Sequence, residues 1–328
     1  MKNLFSHLRS LLARSWAFNR TLTLALLLHL ALLPLALALI FLDPKIITGM
    51  TAWIKPTKFA ISGAIYLATF GWFLSHVQRG RRWTGFAATG VGVALLVEIA
   101  LITLQVVRGV PSHFNSTTPF DAAVFSVMGL FIFFLMLINL LLAIWLIFQK
   151  LPERTFAWAL RWGAIIAFAG MGVGSLMPAP TADQMARLEA GEVVPAMGAH
   201  SVGVADGGPG LPLLGWSTQG GDLRAAHFVG LHGMQIIPLA AWLLSRRRLR
   251  ARLSEGQRLA LLHLAGIGYL GLTGLLTWQA LRGQSVIAPD GLTWAAYAGL
   301  LGVLALGAVG VWFAQAATFR EAATKLRM

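Results

Sequence analysis

The sequence contains no cysteine and little charge, since only 12% of its 328 residues are Asp, Glu, Lys or Arg. The absence of cysteine excludes disulfides, thiolate metal ligands and cysteine nucleophiles. The low charge, together with 57% hydrophobic residues, excludes an ordinary water-soluble domain. Apolar runs of about 20 residues, the length that crosses a membrane as a helix, recur along the chain. Because lipid cannot satisfy open backbone groups, the composition predicts an all-α membrane protein.

The apolar runs predict eight transmembrane helices preceded by an amphipathic interfacial helix over residues 1–20. The interfacial helix places Leu4, Phe5, Leu8 and further apolar side chains on one face. The eight predicted spans are roughly 21–42, 57–78, 84–107, 121–149, 156–178, 223–245, 257–281 and 292–316.

Only one predicted connection is long, residues 179–221 on the outer side. Thr181 and Gln184 predict a capping box that starts a short surface helix, and Gly191 predicts its end. The rest of this loop is rich in Gly and Pro but carries several leucines. That mixture predicts a lid that packs onto the helices.

Acidic residues are scarce, 12 against 26 basic residues, and the basic ones are unevenly placed. Most lie in the two termini and in the loops after the second, fourth and sixth spans. The positive-inside rule therefore predicts a bacterial inner-membrane protein with both termini in the cytoplasm. Cations flanking cytoplasmic helix ends need no nucleic acid, so the expected partner is the lipid bilayer and nucleic-acid binding is not expected.

Three short patterns recur in the same order in two parts of the chain. They are Gln-x-x-Arg-Gly at Gln105 and Gln279, Trp-x-Leu-Ser at Trp72 and Trp242, and a span ending before proline at Pro44 and Pro178. The repeat predicts two tandem, parallel four-helix halves, residues 21–149 and 150–328, with a site at their interface.

Polar residues gather at the predicted outer ends of the helices. Most belong to four motifs, WIKPTKF (53–59), RGVPSHFN (108–115) followed by Asp121, DLRAAHFVGLH (222–232) and WQALRGQ (278–284). The candidate ligand- or cofactor-binding residues are Lys55, Lys58, Arg108, Asn115, Asp121, Asp222, Arg224, Gln235, Gln279 and Arg282. Taken singly, many of them also suit helix ends, where the helix dipole favours acids at the start and cations at the end.

Glu98 and His232 lie deeper, nine to ten residues from the outer ends of their spans, or roughly 14–15 Å at 1.5 Å per residue. A carboxylate at that depth needs a partner or a proton, so His232 is the expected partner of Glu98, with a protonated Glu98 or a purely structural hydrogen bond as alternatives. The candidate catalytic residues are Glu98, His113, His227 and His232.

No metal site is predicted, because His227 and His232 lack the i,i+4 spacing and the intervening Glu of a zinc-protease helix. Haem b is an alternative cofactor, with His113, His200, His227 and His232 as candidate ligands. Heme A synthases resemble this chain in having two tandem four-helix halves, but the chain lacks their motifs. Lipid phosphatases of the PAP2 type are not supported, because Pro111-Ser-His113 lacks the glycine of their PSGH motif.

Together the four motifs resemble those of a family of uncharacterised multi-pass bacterial inner-membrane proteins, over residues 43–290. The resemblance implies the architecture and the choice of positions, and no activity. The sequence thus predicts an outward-facing polar pocket that binds a small amphiphile, quinone-like or lipid-like, or a redox cofactor, with Glu98 handling a proton. A proton-coupled solute transporter, a haem b redox protein and an assembly partner are the alternatives.

Overall fold

The computed structural model describes residues 2–78 and 80–325 and is mostly helical. The helices and strands, in chain order, are α1 (Lys2–Phe18), α2 (Arg20–Leu42), β1 (Ile46–Ile47), β2 (Met50–Thr51), α3 (Ile54–Ser75), α4 (Arg81–Arg108), α5 (Pro119–Phe148), α6 (Arg154–Gly174), α7 (Ala182–Glu189), β3 (Ser201–Val202), β4 (Gly221–Asp222), α8 (Leu223–Leu231), α9 (Gly233–Leu244), α10 (Arg247–Arg250), α11 (Glu255–Leu281) and α12 (Gly291–Lys325). The strands form two short antiparallel pairs, β1 with β2 and β3 with β4. The side chains of Leu4 and Phe5, and Arg79 of a predicted inner loop, lie outside the described residues.

The prediction of an all-α, multi-pass membrane protein is confirmed. Among the described residues, six helices are long and apolar enough to cross a membrane, namely α2, α4, α5, α6, α11 and the 291–313 part of α12. Helices α8 and α9 together make a further candidate span, bent by 44°. Helix α3, which covers the predicted second span, is not among the candidates, since its first turns carry two lysines and its apolar run is interrupted by Ser, Gly and Thr. Eight spans therefore stay a prediction.

The chain folds as two compact units. The first contains the described residues of 1–142, 177–200 and 205–215. In this unit α2 packs along α3 and α4. The contact of α2 with α3 is close because Gly63 has no side chain, and a Cβ there would lie 2.5 Å from Nε2 of His29. The buried side chains of Leu67, Phe70 and Phe73 complete the inner face of α3.

The second unit contains the described residues of 143–176, 201–204 and 216–328. Helix α6 packs against α8, α9 and α11 around a core that includes Ile166, Ile237 and Leu262. Gly170 and Gly230 let two backbones touch, since a Cβ on Gly170 would lie 2.6 Å from the carbonyl carbon of Gly230.

The predicted single helix over 223–245 is wrong in one respect, because it breaks at His232 between α8 and α9. Two glycines, Gly230 and Gly233, flank the break, and Pro238 removes a backbone donor one turn later. Glycine and proline are the usual causes of a sharp helix bend.

The short outer helix predicted from its capping box is confirmed as α7. Thr181 accepts a hydrogen bond from the Gln184 backbone, and the Gln184 side chain accepts one from the Thr181 backbone. Gly191 follows the helix with a φ of 75°. Residues 177–200 and 205–215 of the long loop belong to the first unit, as expected of a segment that packs onto helices.

Candidate functional site

The start of α3 carries the two lysines of the WIKPTKF motif, and the β1–β2 hairpin leads into it. Asp43, at the end of α2, accepts a hydrogen bond of 2.8 Å from the indole nitrogen of Trp53. This bond lowers the pKa of the Asp43 carboxyl and ties the end of α2 to the start of α3. Lys58 Nζ donates to the carbonyl oxygen of Leu214 at 3.0 Å, so the long loop lies over the first turns of α3.

Lys55, His113 and Glu98 form a line of polar groups within the first unit. Lys55 Nζ lies 3.1 Å from His113 Nδ1, and His113 Nε2 lies 3.5 Å from Glu98 Oε1. Because an ammonium can only donate, Nδ1 is the acceptor, and the imidazole proton belongs on Nε2, which faces the carboxyl group. Glu98 is buried, with only 2% of its surface exposed, and its Oε2 has no hydrogen-bond partner among the described residues. We call these three side chains the proton line.

His113 is held neutral by its surroundings. Phe59, Phe114 and Phe125 pack around its ring. Burial, reinforced by the positive charge of Lys55 and by the nearby His200, lowers the pKa of His113 well below its usual value of 6.5. A neutral imidazole between an ammonium and a carboxyl group can pass a proton by exchanging its two ring nitrogens as donor and acceptor.

The lowered pKa of His113 predicts a pH-dependent stability. The unfolded chain takes up a proton at this histidine below about pH 6.5, whereas the folded chain does not. The stabilisation is therefore fully present above that pH and is lost as the pH falls towards the folded pKa. Because Glu98 also lies beside His113, the effect is measured as a difference: in thermal unfolding in detergent between pH 8 and 5, the native chain should lose stability relative to His113→Asn as the pH falls. The exposed His7 gives the control, and an equal loss relative to His7→Gln would contradict the assignment to His113.

The loop that carries His113 is fixed by unusual backbone geometry. Phe114 has a φ of 60°, and its carbonyl oxygen accepts a hydrogen bond from the Met197 amide. Asn115, a predicted ligand-binding residue, bonds its own loop: its amide donates to the Pro111 carbonyl, and its oxygen accepts from the Thr117 backbone and hydroxyl. A non-glycine residue with positive φ persists only where its surroundings hold it, and such residues cluster at functional sites.

The long loop supplies part of these surroundings. His200 donates to Asp206 at 2.7 Å, and its ring lies 4.8 Å from the ring of Phe114. Gln184 bonds both backbone groups of Gly198, accepting from its amide and donating to its carbonyl. His200 was a candidate haem ligand, whereas Asp206 was missed, although residues 206–210, Asp-Gly-Gly-Pro-Gly, are a turn signal in the sequence.

Gly198 allows the long loop to pack closely against the segment that carries His113. Replacing Gly198 should therefore free the long loop from that segment. Its φ is 98°, and a Cβ would collide with the Met177 carbonyl oxygen and lie 3.0 Å from the Phe114 ring. We expect Gly198→Ala to destabilise the protein by at least about 1–3 kcal/mol, the usual cost of such strain, and to speed proteolysis of residues 192–215. Gly191→Ala is the matched control, because Gly191 has a φ of 75° but nothing within 4 Å of its Cβ position. Equal losses in the two variants would contradict a role for loop packing.

A second cluster in the first unit joins α4 to α5. The guanidinium of Arg108 donates to Gln105 and to Asp121, and Gln105 donates to Asp121 at 2.8 Å. Thr118 adds a hydrogen bond of 2.6 Å to the same carboxylate. Three charged or polar side chains thus satisfy a buried Asp121, so both Arg108 and Asp121, which the sequence suggested as ligand-binding residues, hold the loop between two helices.

The second unit contains corresponding pairs at its helix ends. Arg224 bonds Asp222 through two nitrogens, at 2.9 and 2.6 Å, and Asp222 caps α8. Arg282 bonds Asp290 at 2.6 Å. Gln279, the first residue of the second Gln-x-x-Arg motif, donates a hydrogen bond to the Ser285 carbonyl oxygen at 2.7 Å. These four predicted ligand-binding residues likewise hold loops and helix ends.

The predicted pairing of Glu98 with His232 is wrong, because the histidine beside Glu98 is His113. His232 Nδ1 lies 3.2 Å from Gln235 Oε1, and its ring packs 4.3 Å from that of Phe228. His227 Nδ1 bonds the Gly170 carbonyl at 2.8 Å. The predicted depth along a span could not tell which of these polar residues share a unit.

The described part of the chain contains no group of three or more His, Asp or Glu side chains that could hold a metal ion. The chain matches no protein-family model, no curated protein and no solved structure. Its function is therefore inferred from the geometry of the site.

Proposed function

We propose that this chain is a bacterial inner-membrane protein that binds the headgroup of a small amphiphile at the proton line and exchanges a proton with it. In this proposal the chain spans the membrane eight times, with α3 and the bent α8–α9 pair added to the six long apolar helices. The uneven basic residues put both termini in the cytoplasm and the proton line near the outer face.

A tandem repeat of two four-helix halves is part of the proposal and gains support from matching packing. Gly63 and Gly233 each lie nine residues before the tryptophan of a Trp-x-Leu-Ser pattern, and each faces a side chain of the long apolar helix before it, His29 of α2 and Ile166 of α6 respectively. The two Gln-x-x-Arg motifs likewise each end in an Arg–Asp pair.

The observation that carries the proposal is the unpartnered oxygen of Glu98. A buried polar atom without a hydrogen bond costs about 1–3 kcal/mol, so such atoms in native proteins call for an explanation. A ligand oxygen would supply the missing partner, as an acceptor if Glu98 is protonated and as a donor if it is ionised. A quinone-like carbonyl or a lipid-like acidic group would also meet the positive charge of Lys55.

Haem is less well supported than an amphiphile. Both ring nitrogens of His113 face other residues, Lys55 on one side and Glu98 on the other. His227 and His232 each engage Nδ1 within their own unit. Of the cations that could meet haem propionates, Lys58, Arg108 and Arg224 are bonded to a loop carbonyl or to carboxylates.

An absorption spectrum and mass spectrometry of extracted ligands, both on detergent-purified protein, test the proposal. We expect an amphiphile with a carbonyl or acidic headgroup to co-purify with the native chain and to be depleted in Lys55→Met. A Soret band would favour haem instead. Protein that carries no such molecule, and that binds neither a short-chain benzoquinone nor a short-chain fatty acid, would overturn the proposal.

The break at His232 favours a proton-coupled transporter as the second candidate function. Discontinuous membrane helices line the substrate sites of many transporters, because their free ends offer unpaired backbone groups. In that case the buried carboxyl of Glu98 would couple proton movement to a solute. Solute uptake into proteoliposomes that is driven by a proton gradient and disappears in Glu98→Gln would place this function first.

A further inference from the structure

A groove runs along the surface of the second unit between α6 and α11, and it contains no residue of the proton line. It has a volume of about 410 Å³ and is lined by Ala169 and Val173 of α6 and by Leu270, Thr273, Gly274, Thr277, Trp278 and Leu281 of α11. On α11 the lining residues form two rows spaced four apart, 270–274–278 and 273–277–281. Such rows follow one face of a helix, so the groove is a furrow parallel to α11.

The groove is apolar in spite of its two threonines. Thr273 Oγ1 donates to the Tyr269 carbonyl at 2.9 Å, and Thr277 Oγ1 donates to the Thr273 carbonyl at 2.8 Å. Both hydroxyl groups therefore donate their hydrogens to their own helix. The lining is mainly apolar, and the indole nitrogen of Trp278 is its one side-chain donor not already bonded to α11, so the expected occupant is a hydrocarbon chain.

The length of the furrow matches one membrane leaflet. From Leu270 to Leu281 the helix rises about 16 Å at 1.5 Å per residue. The hydrocarbon core of a bilayer is about 30 Å thick, so the furrow covers about half of it. Both α6 and α11 are candidate spans, which puts hydrocarbon chains beside the furrow.

A dipolar pair of side chains lies at the end of the furrow near the C-terminus of α11. The guanidinium of Arg282 stacks on the ring of Trp278 at 4.6 Å and pairs with Asp290 at 2.6 Å. The Asp290 side chain is 41% exposed and that of Arg282 29%, so both can still reach a ligand. Phosphate is the natural partner of an arginine, and an ammonium group that of a carboxylate.

We propose that the furrow binds one phospholipid, with an acyl chain along α11 and a zwitterionic headgroup against Arg282 and Asp290. The length and the apolar lining of the furrow match an acyl chain, and the charge pair at its end matches the headgroup of the same lipid. The site is independent of the proton line, and either proposal can fail without the other.

Filling the furrow from Gly274 tests the proposal. A Cβ at Gly274 would have nothing within 4 Å, so a side chain there begins in open space beside the furrow. Gly299 of α12 is the matched control, since it also lies in a spanning helix with nothing within 4 Å. We expect native mass spectrometry of the detergent-purified full-length chain to find one phospholipid fewer in Gly274→Leu and Gly274→Phe. Gly274→Ala and Gly299→Leu should retain it.

A second measurement addresses the headgroup. Asp290→Asn removes the acidic half of the pair, so the retained lipid should shift from phosphatidylethanolamine towards phosphatidylglycerol when both are supplied in equal amounts. Unchanged lipid retention in Gly274→Leu and Gly274→Phe would overturn the proposal, as would a change of oligomeric mass in place of lipid loss. An unchanged preference in Asp290→Asn would overturn the headgroup assignment. Melting temperatures of the Gly274 and Gly299 variants show that each is folded.

Discussion

Arg108→Ala should lower the free energy of unfolding by about 3 kcal/mol, whereas Arg282→Ala should lower it far less. Both arginines end a Gln-x-x-Arg motif and pair with an aspartate before or in the next helix. They differ in the burial of that aspartate, since the side chain of Asp121 is 3% exposed and that of Asp290 41%. Removing Arg108 leaves a buried carboxylate without its cation, while removing Arg282 leaves one that water can solvate.

Denaturant unfolding in detergent micelles at neutral pH measures both values. Asp121→Asn in the Arg108→Ala background should recover part of the loss, because the uncompensated charge is then gone. Equal losses for the two arginine variants would contradict the idea that burial of the aspartate sets the cost. The pair of variants thus separates the burial of a charge from the loss of an arginine side chain as such.

The second large effect is expected on ligand affinity, which should fall when a residue of the proton line is replaced. Lys55→Met and Glu98→Gln should each weaken binding of a short-chain benzoquinone, or of the extracted amphiphile, by about 10- to 100-fold. A hydrogen bond to a charged group contributes about 1.5–3 kcal/mol, and each 1.4 kcal/mol corresponds to a factor of ten. Only Glu98→Gln should also remove the dependence of the affinity on pH, because it deletes the group that exchanges the proton.

Lys45→Met is the matched control for this prediction. Lys45 belongs to the same unit, but its side chain is 45% exposed and pairs with Asp43 at 3.4 Å. An equal loss of affinity in Lys45→Met would mean that general positive charge, and not the position of Lys55, holds the ligand. Equilibrium titrations of the purified variants over a range of pH distinguish these outcomes.

The fold was predictable from the sequence to the extent that it follows from apolar length and capping chemistry. Long apolar runs gave the helices, and the Thr181–Gln184 pattern gave α7, because these signals are local. The break at His232 was not predicted, since Gly230, Gly233 and Pro238 are all tolerated in unbroken membrane helices. The bend accompanies the close packing of Gly230 on Gly170 and of Gly233 on Ile166, which depends on how the helices pair and not on a local pattern.

The site was predictable as a set of residues but not as a set of pairs. Lys55, Glu98 and His113 were all chosen from the sequence, because charged and imidazole groups are rare in apolar helices and at their outer ends. Their mutual contacts depend on the path of the loop around Phe114. No local sequence pattern predicts the positive φ of this residue. Arg108, Arg224 and Arg282 were chosen for the same reason, as charged residues at the outer ends of apolar helices. The structure shows that each of them is bonded to an aspartate.

The hydrogen bond between Phe114 and Met197 can form only after the chain has been synthesised as far as the long loop. The ribosome makes α2 to α5 before it makes residues 177–206. A growing chain therefore contains Lys55, Glu98 and His113 before it contains the loop segment that packs against them. The carboxyl group of Glu98 can therefore take its final surroundings only after α6 has also been made. A fragment that ends after α5 should insert into a bilayer but lack the complete surroundings of Glu98, which makes the first unit dependent on residues that follow α6.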